Sequence, residues 1–392
     1  MNTGNMTPPS FPFAFFLSDK KNSVSKNMEI WKTPLPLNRK NQKTGNGFFI
    51  CHGDYFHAVQ TFLEENRCKV LLHAVSVRLK QAVTGEKFDK INIYLEKHGE
   101  FYHPARVEVV FGHQKISFVV NVAVSDAGKK NIETEYAVLQ KLKRGFSFSY
   151  TPMVYGLGKV FVKDFQIDMF LGDWFEGYRE FHVTEASSRK REIAVWDPLK
   201  GPWYLTKEQA KTVYRQATEI LTAYYNPETD EQIYPWHHAA GDFILKLENE
   251  IIDLKLITAR NYVSLVQQNE ARGLGSIMEA VLVFFLNLSI QMRIDRLDGV
   301  GEIVWFDDFF VPEIVNGFFH GLEKRPQTET MGIPLAACFE YYFFSLQEKE
   351  LEELALNISN NLHPHAPELP VIQENLKKHI QDLKLAIIER QS

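Results

Sequence analysis

The residues best equipped for chemistry lie in one stretch, Trp236 to Lys255, which reads WHHAAGDFILKLENEIIDLK. His237 and His238 are adjacent, Gly241-Asp242 follows, and Asp253 comes eleven positions after Asp242 in a second apolar run. A carboxylate such as Asp242 can orient or deprotonate a substrate hydroxyl. A second one, Asp253, suits a hard divalent cation, which prefers oxygen ligands. Lys246 and Lys255 stand beside the two acids. Imidazole with carboxylate also suits zinc, iron or manganese, so a metal-dependent hydrolase using His237 and His238 is an alternative. Against it, successive side chains on an extended chain point to opposite sides. The plainest account is a hairpin whose histidines pack beside Trp236 and bond the backbone.

Two further clusters invite the same question. CHGDYFH, Cys51 to His57, carries another His-Gly-Asp. It reads as a helix start with Asp54 as N-cap, with Cys51, His52 and His57 as a minor metal alternative. RIDRLDGVGEIVWFDDFF, Arg293 to Phe310, holds Asp295, Asp298, Asp307 and Asp308 among aromatic residues. Helix ends and caps explain them most simply. Neither the P-loop pattern, nor G-x-G-x-x-G, nor G-x-S-x-G occurs, so nucleotide folds of those types and serine hydrolases have no support.

Something must hold these residues in place, and the chain is large enough to do so. It has 392 residues, 45% of them hydrophobic and 24% charged, which predicts two lobes or domains. Thirty phenylalanines and fifteen tyrosines can fill the cores. The net charge of -5 comes from scattered, mixed-sign residues, which predicts no nucleic-acid partner. Three widely spaced cysteines with no C-x-x-C fit a reducing, cytoplasmic setting. Met278 to Met292 is apolar but short and carries Glu279, Asn287 and Gln291; it reads as a buried helix and predicts no membrane span.

Residues 1–48 are rich in Pro, Asn, Lys and Gly and read as an extended or disordered arm. A helix is expected from His57 to Gln81. Strands are expected at Ile91–Leu95, Val107–Phe111 and Ile116–Val124, from their β-branched and alternating patterns. A helix over Asn131–Leu142 follows, then strands at Met153–Phe161 and Phe165–Phe175. Thr206 with Gln209 forms a capping-box signature for a helix reaching about Tyr225. A hairpin is expected from Asp242–Leu247 and Glu250–Leu256, and helices over about 274–297, 311–323, 333–360 and 370–390.

Three antiparallel strands, a helix, two more strands and a helical half with one short hairpin: this order resembles the protein-kinase-like fold. Within it, the chain is similar to the aminoglycoside phosphotransferase and choline kinase branch, over roughly residues 90–325. ETEYAVLQKL matches that branch's E-Y-x-x-L-x-x-L helix, with Glu135 as the glutamate that pairs a phosphate-holding lysine. Trp174-Phe175-Glu176-Gly177 resembles the hinge, and Gly99 is the single glycine between the first two strands. The resemblance therefore implies cofactor contacts at Gly99, Glu135, Phe175 and Glu176, with ATP and Mg²⁺ as cofactors. It implies Asp242 as catalytic base, His238 and Lys246 beside it, and Asp253 as the Mg²⁺ aspartate that ends the second hairpin strand. The sequence departs from the pattern in four places: two alanines separate His238 from Gly241, Leu247 stands where the family has a metal-binding Asn, Asn121 where it has the lysine, and Gly99 is alone where the family has a glycine-rich loop.

The expectation is an α+β, two-lobed, protein-kinase-like fold with an antiparallel-sheet N-lobe and a mainly helical C-lobe. Its parts would be residues 1–48 (arm), 49–178 (helix and β-rich lobe) and 179–392 (helical lobe). Its activity would be ATP-dependent phosphate transfer to the hydroxyl of a small-molecule substrate; a catalytically degenerate, binding-only relative is the alternative. A homodimer through the exposed face of helix 333–360 is a further expectation.

Overall fold

The structure of the protein, a computed structural model, describes residues 11–18, 23–36, 49–84, 88–99, 101–185, 191–197, 200–237, 241–266, 273–325 and 332–391. The fold is mixed α+β. It divides into two compact units, residues 1–147 with 152–176, and residues 148–151 with 177–392.

The first unit runs β1 (Phe13–Leu17), α1 (Glu29–Lys32), α2 (His52–Leu79), β2 (Lys90–Leu95), β3 (Ala105–Phe111), β4 (Gln114–Ala123), α3 (Asp126–Gly145), β5 (Val154–Val162) and β6 (Phe165–Asp173). Its strands form one sheet in the order β1-β2-β3-β4-β6-β5. Period-two alternation sends Val120, Val122, Met169 and Leu171 to one face, where they bury against Phe56, Phe62 and Leu63 of α2. On the alternate residues of β6, Phe170 meets Tyr136 of α3 at 5.9 Å between rings, so the two helices take opposite faces.

Two expectations in this unit are corrected. Part of the expected arm is a strand: β1 pairs in parallel with β2 from Phe13↔Ile91 to Leu17↔Leu95. Its phenylalanines supply the drive, with Phe13 and Phe15 packed on the core and Phe16 stacked on Tyr94 at 4.6 Å. The first long helix begins at His52, with Cys51 as its N-cap; Asp54 sits at the third helical position and accepts from the Cys51 N–H at 3.0 Å. Asp54 therefore closes a capping box where a simple cap was expected.

The second unit runs β7 (Phe181–Glu185), β8 (Arg191–Val195), β9 (Trp203–Tyr204), α4 (Lys207–Ala223), β10 (Glu231–Ile233), β11 (Phe243–Glu248), β12 (Ile251–Leu256), β13 (Tyr262–Ser264), α5 (Leu274–Gln291), β14 (Ile294–Arg296), β15 (Ile303–Trp305), α6 (Val311–Glu323), α7 (Leu335–Ser345), α8 (Glu348–Asn360) and α9 (Glu368–Arg390). Helix α5 is long and apolar enough to cross a membrane, yet Phe284, Phe285 and Leu286 are buried inside the unit among Phe318, Phe339 and Phe343. The expected 274–297 helix stops at Gln291, because the buried Arg293 turns the chain by donating to the carbonyl of Phe306 at 3.0 Å. The expected 333–360 helix is two helices, split where Gln347 and Glu350 cap α8.

Thr206 and Gln209 make the expected capping box on α4, with bonds of 3.2 and 3.0 Å. Replacing Thr206 by alanine should lower the stability of this unit by about 1 kcal/mol, seen as a lower denaturant midpoint. An unchanged midpoint would mean the box contributes nothing.

Candidate functional site

β11 and β12 form a hairpin whose register sets Phe243 against Leu256 and Lys246 against Asp253. Asn249 and Glu250 close it, both with positive φ, the conformation a two-residue hairpin turn needs. Alternation buries Phe243, Leu245, Ile252, Leu254 and Leu256 and turns Lys246, Asp253 and Lys255 to the other face. The edge of β12 left open is closed from α4. Gln216 donates its side-chain N–H to the carbonyl of Ile252 at 2.7 Å and accepts the Leu254 N–H at 2.9 Å. A side-chain amide thus does the work of a third strand on either side of Asp253.

Asp242 lies just before β11, after Gly241 at φ +86°. Only 1% of it is exposed. Arg260 grips both of its oxygens, Nη1 to Oδ2 and Nη2 to Oδ1, each at 2.7 Å, and the His237 N–H donates to Oδ2 at 2.8 Å. Both oxygens of this carboxylate are therefore committed to donors within the protein. The His237 side chain is exposed, and His238 lies outside the described residues.

Asp253 differs in every respect. Its side chain is 51% exposed. Lys255 reaches Oδ1 at 3.0 Å, and the Tyr178 hydroxyl donates to Oδ2. Partial burial, then the bond to Asp253, push the Tyr178 phenol well above its ordinary value. The strand expected over Glu250–Leu256 is present as Ile251–Leu256, so Asp253 lies inside it, where the resemblance implied a strand end. The backbone that faces Asp242 belongs to Ile257, whose N–H donates to the Asp242 carbonyl at 2.8 Å. Four ladder steps separate the Asp242 and Asp253 levels, about 13 Å along the hairpin. Lys246 is the cross-strand partner of Asp253, but its ammonium lies on Glu248 at 2.8 Å.

These residues do not fit Mg²⁺. The ion demands near-octahedral oxygen ligation, whereas Asp253 offers one carboxylate already engaged by an ammonium and a phenol. Among the described residues, no group of three His, Cys, Asp or Glu side chains converges on a cation position.

The remaining expected contacts belong to the first unit. Glu135 is buried on α3. Two residues earlier on α3, Glu133 meets Lys159 of β5 at 2.6 Å. Asn121 pairs with Phe170 in the sheet, and Lys115 lies on Glu108 at 3.4 Å. Gly99 has a structural duty, since its N–H closes the turn onto the Tyr102 carbonyl at 3.0 Å and a Cβ would sit 2.7 Å from that oxygen. Phe175 is half-buried and Glu176 exposed, just past the end of β6.

The four aspartates of the Arg293–Phe310 stretch do four separate things. Asp295 is a buried strand residue, Asp298 sits at positive φ in a turn, Asp307 precedes a short 3₁₀ turn, and Asp308 accepts from the buried Arg293 at 2.7 Å. An open cavity of about 490 Å³ lies beside β15 and α9, with Trp305, Asp307, Asp308 and Glu374 on its wall. Sequence reasoning missed Arg260 and Gln216. An Arg in the loop after a strand and a Gln on a helix carry no local mark of their tertiary partners. No protein-family model matches the chain, and no curated protein matches its sequence.

Proposed function

We propose that the chain is a kinase-like protein of the aminoglycoside phosphotransferase and choline kinase branch that binds a nucleotide without transferring its phosphate. The two-lobed arrangement is part of that proposal. Its support is the element order: three antiparallel strands, a helix and two more strands in one unit, then a mainly helical unit holding the β11–β12 hairpin. The observation that carries the loss of transfer is the state of Asp242. The carboxylate meant to accept a substrate proton is buried and bonded on both oxygens by Arg260. The active alternative, with Asp242 as base and Mg²⁺ at Asp253, has less support, because neither carboxylate is in the state that role requires.

The test joins binding to turnover. ATP should raise the melting temperature by a few degrees, since a ligand that binds only the folded state stabilises it. No ADP or phosphorylated product should form above a protein-free blank with a panel of small hydroxyl compounds. Product formation that disappears in Asp242→Asn would overturn the proposal and restore the phosphotransferase. No melting shift at millimolar ATP would remove the nucleotide.

A further inference from the structure

We infer that the Asp242 and Asp253 sites operate without a divalent cation, because the protein supplies its own cation to each. The nucleotide as ligand rests on the function proposed above; the cation chemistry does not. Arg260 occupies both oxygens of Asp242 at 2.7 Å. Lys255 occupies Asp253 at 3.0 Å, and that ammonium is itself confined. The rings of Tyr150 and Tyr178 each lie 5.9 Å from it, and its side chain is only 14% exposed. A cation between two aromatic faces and a carboxylate gains from both contacts.

The backbone keeps Asp253 where Lys255 can hold it. Gln216 bonds the peptide groups on both sides of it, so the residue cannot rotate within the strand without breaking two hydrogen bonds. Asp242 cannot join it as a second ligand, because the two acids lie about 13 Å apart along the hairpin. A phosphate arriving here would meet ammonium and guanidinium groups, and its charge would be balanced by N–H donors in place of metal coordination.

Mn²⁺ tests the inference on the intact chain without any nucleotide, through paramagnetic broadening of the Phe243 and Leu254 backbone amide signals. In the wild type, millimolar Mn²⁺ should broaden neither more than other surface amides. Lys255→Met removes the resident cation and should make the Leu254 signal broaden saturably and more strongly than that of Phe243, three ladder steps from Asp253. Saturable broadening of either signal in the wild type would overturn the inference. So would a folded Lys255→Met protein, checked by its melting temperature, that responds like the wild type. A second arm compares melting with ATP in EDTA and in excess Mg²⁺. Equal shifts are expected, and a shift that requires Mg²⁺ would overturn the inference. If ATP gives no shift in either buffer, the nucleotide reading fails while the Mn²⁺ result still decides the metal question.

Discussion

Arg260→Ala should lower the stability of the second unit by about 3 kcal/mol, among the largest effects of any single polar substitution in it. Two charge-assisted bonds disappear, but the greater part of the loss is what stays behind. Asp242 is 1% exposed, so it would remain in a poorly solvated position, with the His237 N–H still donating to it. Removing one partner of a buried pair is far more damaging than replacing both. The double variant Asp242→Leu/Arg260→Met should therefore recover much of the loss. Asp253→Ala gives the contrast: that carboxylate is itself 51% exposed, so its removal should shift stability by no more than about 1 kcal/mol. The measurement is chemical denaturation of all four proteins followed by far-UV circular dichroism. If Arg260→Ala costs no more than Asp253→Ala, the clamp is not structural, and the case against Asp242 as a base weakens with it.

That contrast explains how far the site could be read from the sequence. Two aspartates in one hairpin were legible, because alternating apolar residues on either side of Asn249-Glu250 force the pairing. Their environments were not. The run of IIDLKL to Leu256 was legible, but not that Gln216 would bond the peptide groups on either side of Asp253. Ion pairing is equally hidden, since Arg260 finds Asp242 only once β12 has brought the following loop back beside it. Elements followed the same division. Strands β2 to β6 and helices α3, α4 and α6 carry strong periodicity or caps and stand near their expected positions. β1 lies in a Pro- and Asn-rich segment whose composition masks five strand residues, FAFFL. Strands β7, β8, β14 and β15 are only three to five residues long and pair with a strand adjacent in sequence, too short for period-two alternation to mark them.

The stability of the second unit should also fall between about pH 4 and pH 7 through one residue, Asp295, in the direction opposite to ordinary acid unfolding. Asp295 is 8% exposed on β14. Burial pushes its carboxyl from 3.8 up to about 7, against the opposing pull of the Arg296 N–H, which donates to it at 2.7 Å. A group whose folded value is raised stabilises the protein fully below its unfolded value. That stabilisation is lost as pH rises, because the unfolded chain releases the proton first. A shift of this size corresponds to about 4 kcal/mol lost across the window. Other groups also titrate in this range, so the informative quantity is a difference between proteins. Asp295→Asn keeps an oxygen acceptor for the Arg296 N–H and cannot ionise. Relative to wild type, it should be more stable at pH 8 by several kcal/mol and nearly equal at pH 4, as read from denaturant midpoints at each pH. A variant less stable than wild type at pH 8 would mean that Asp295 is ionised and favourably held in the folded protein, and that its burial does not govern its charge.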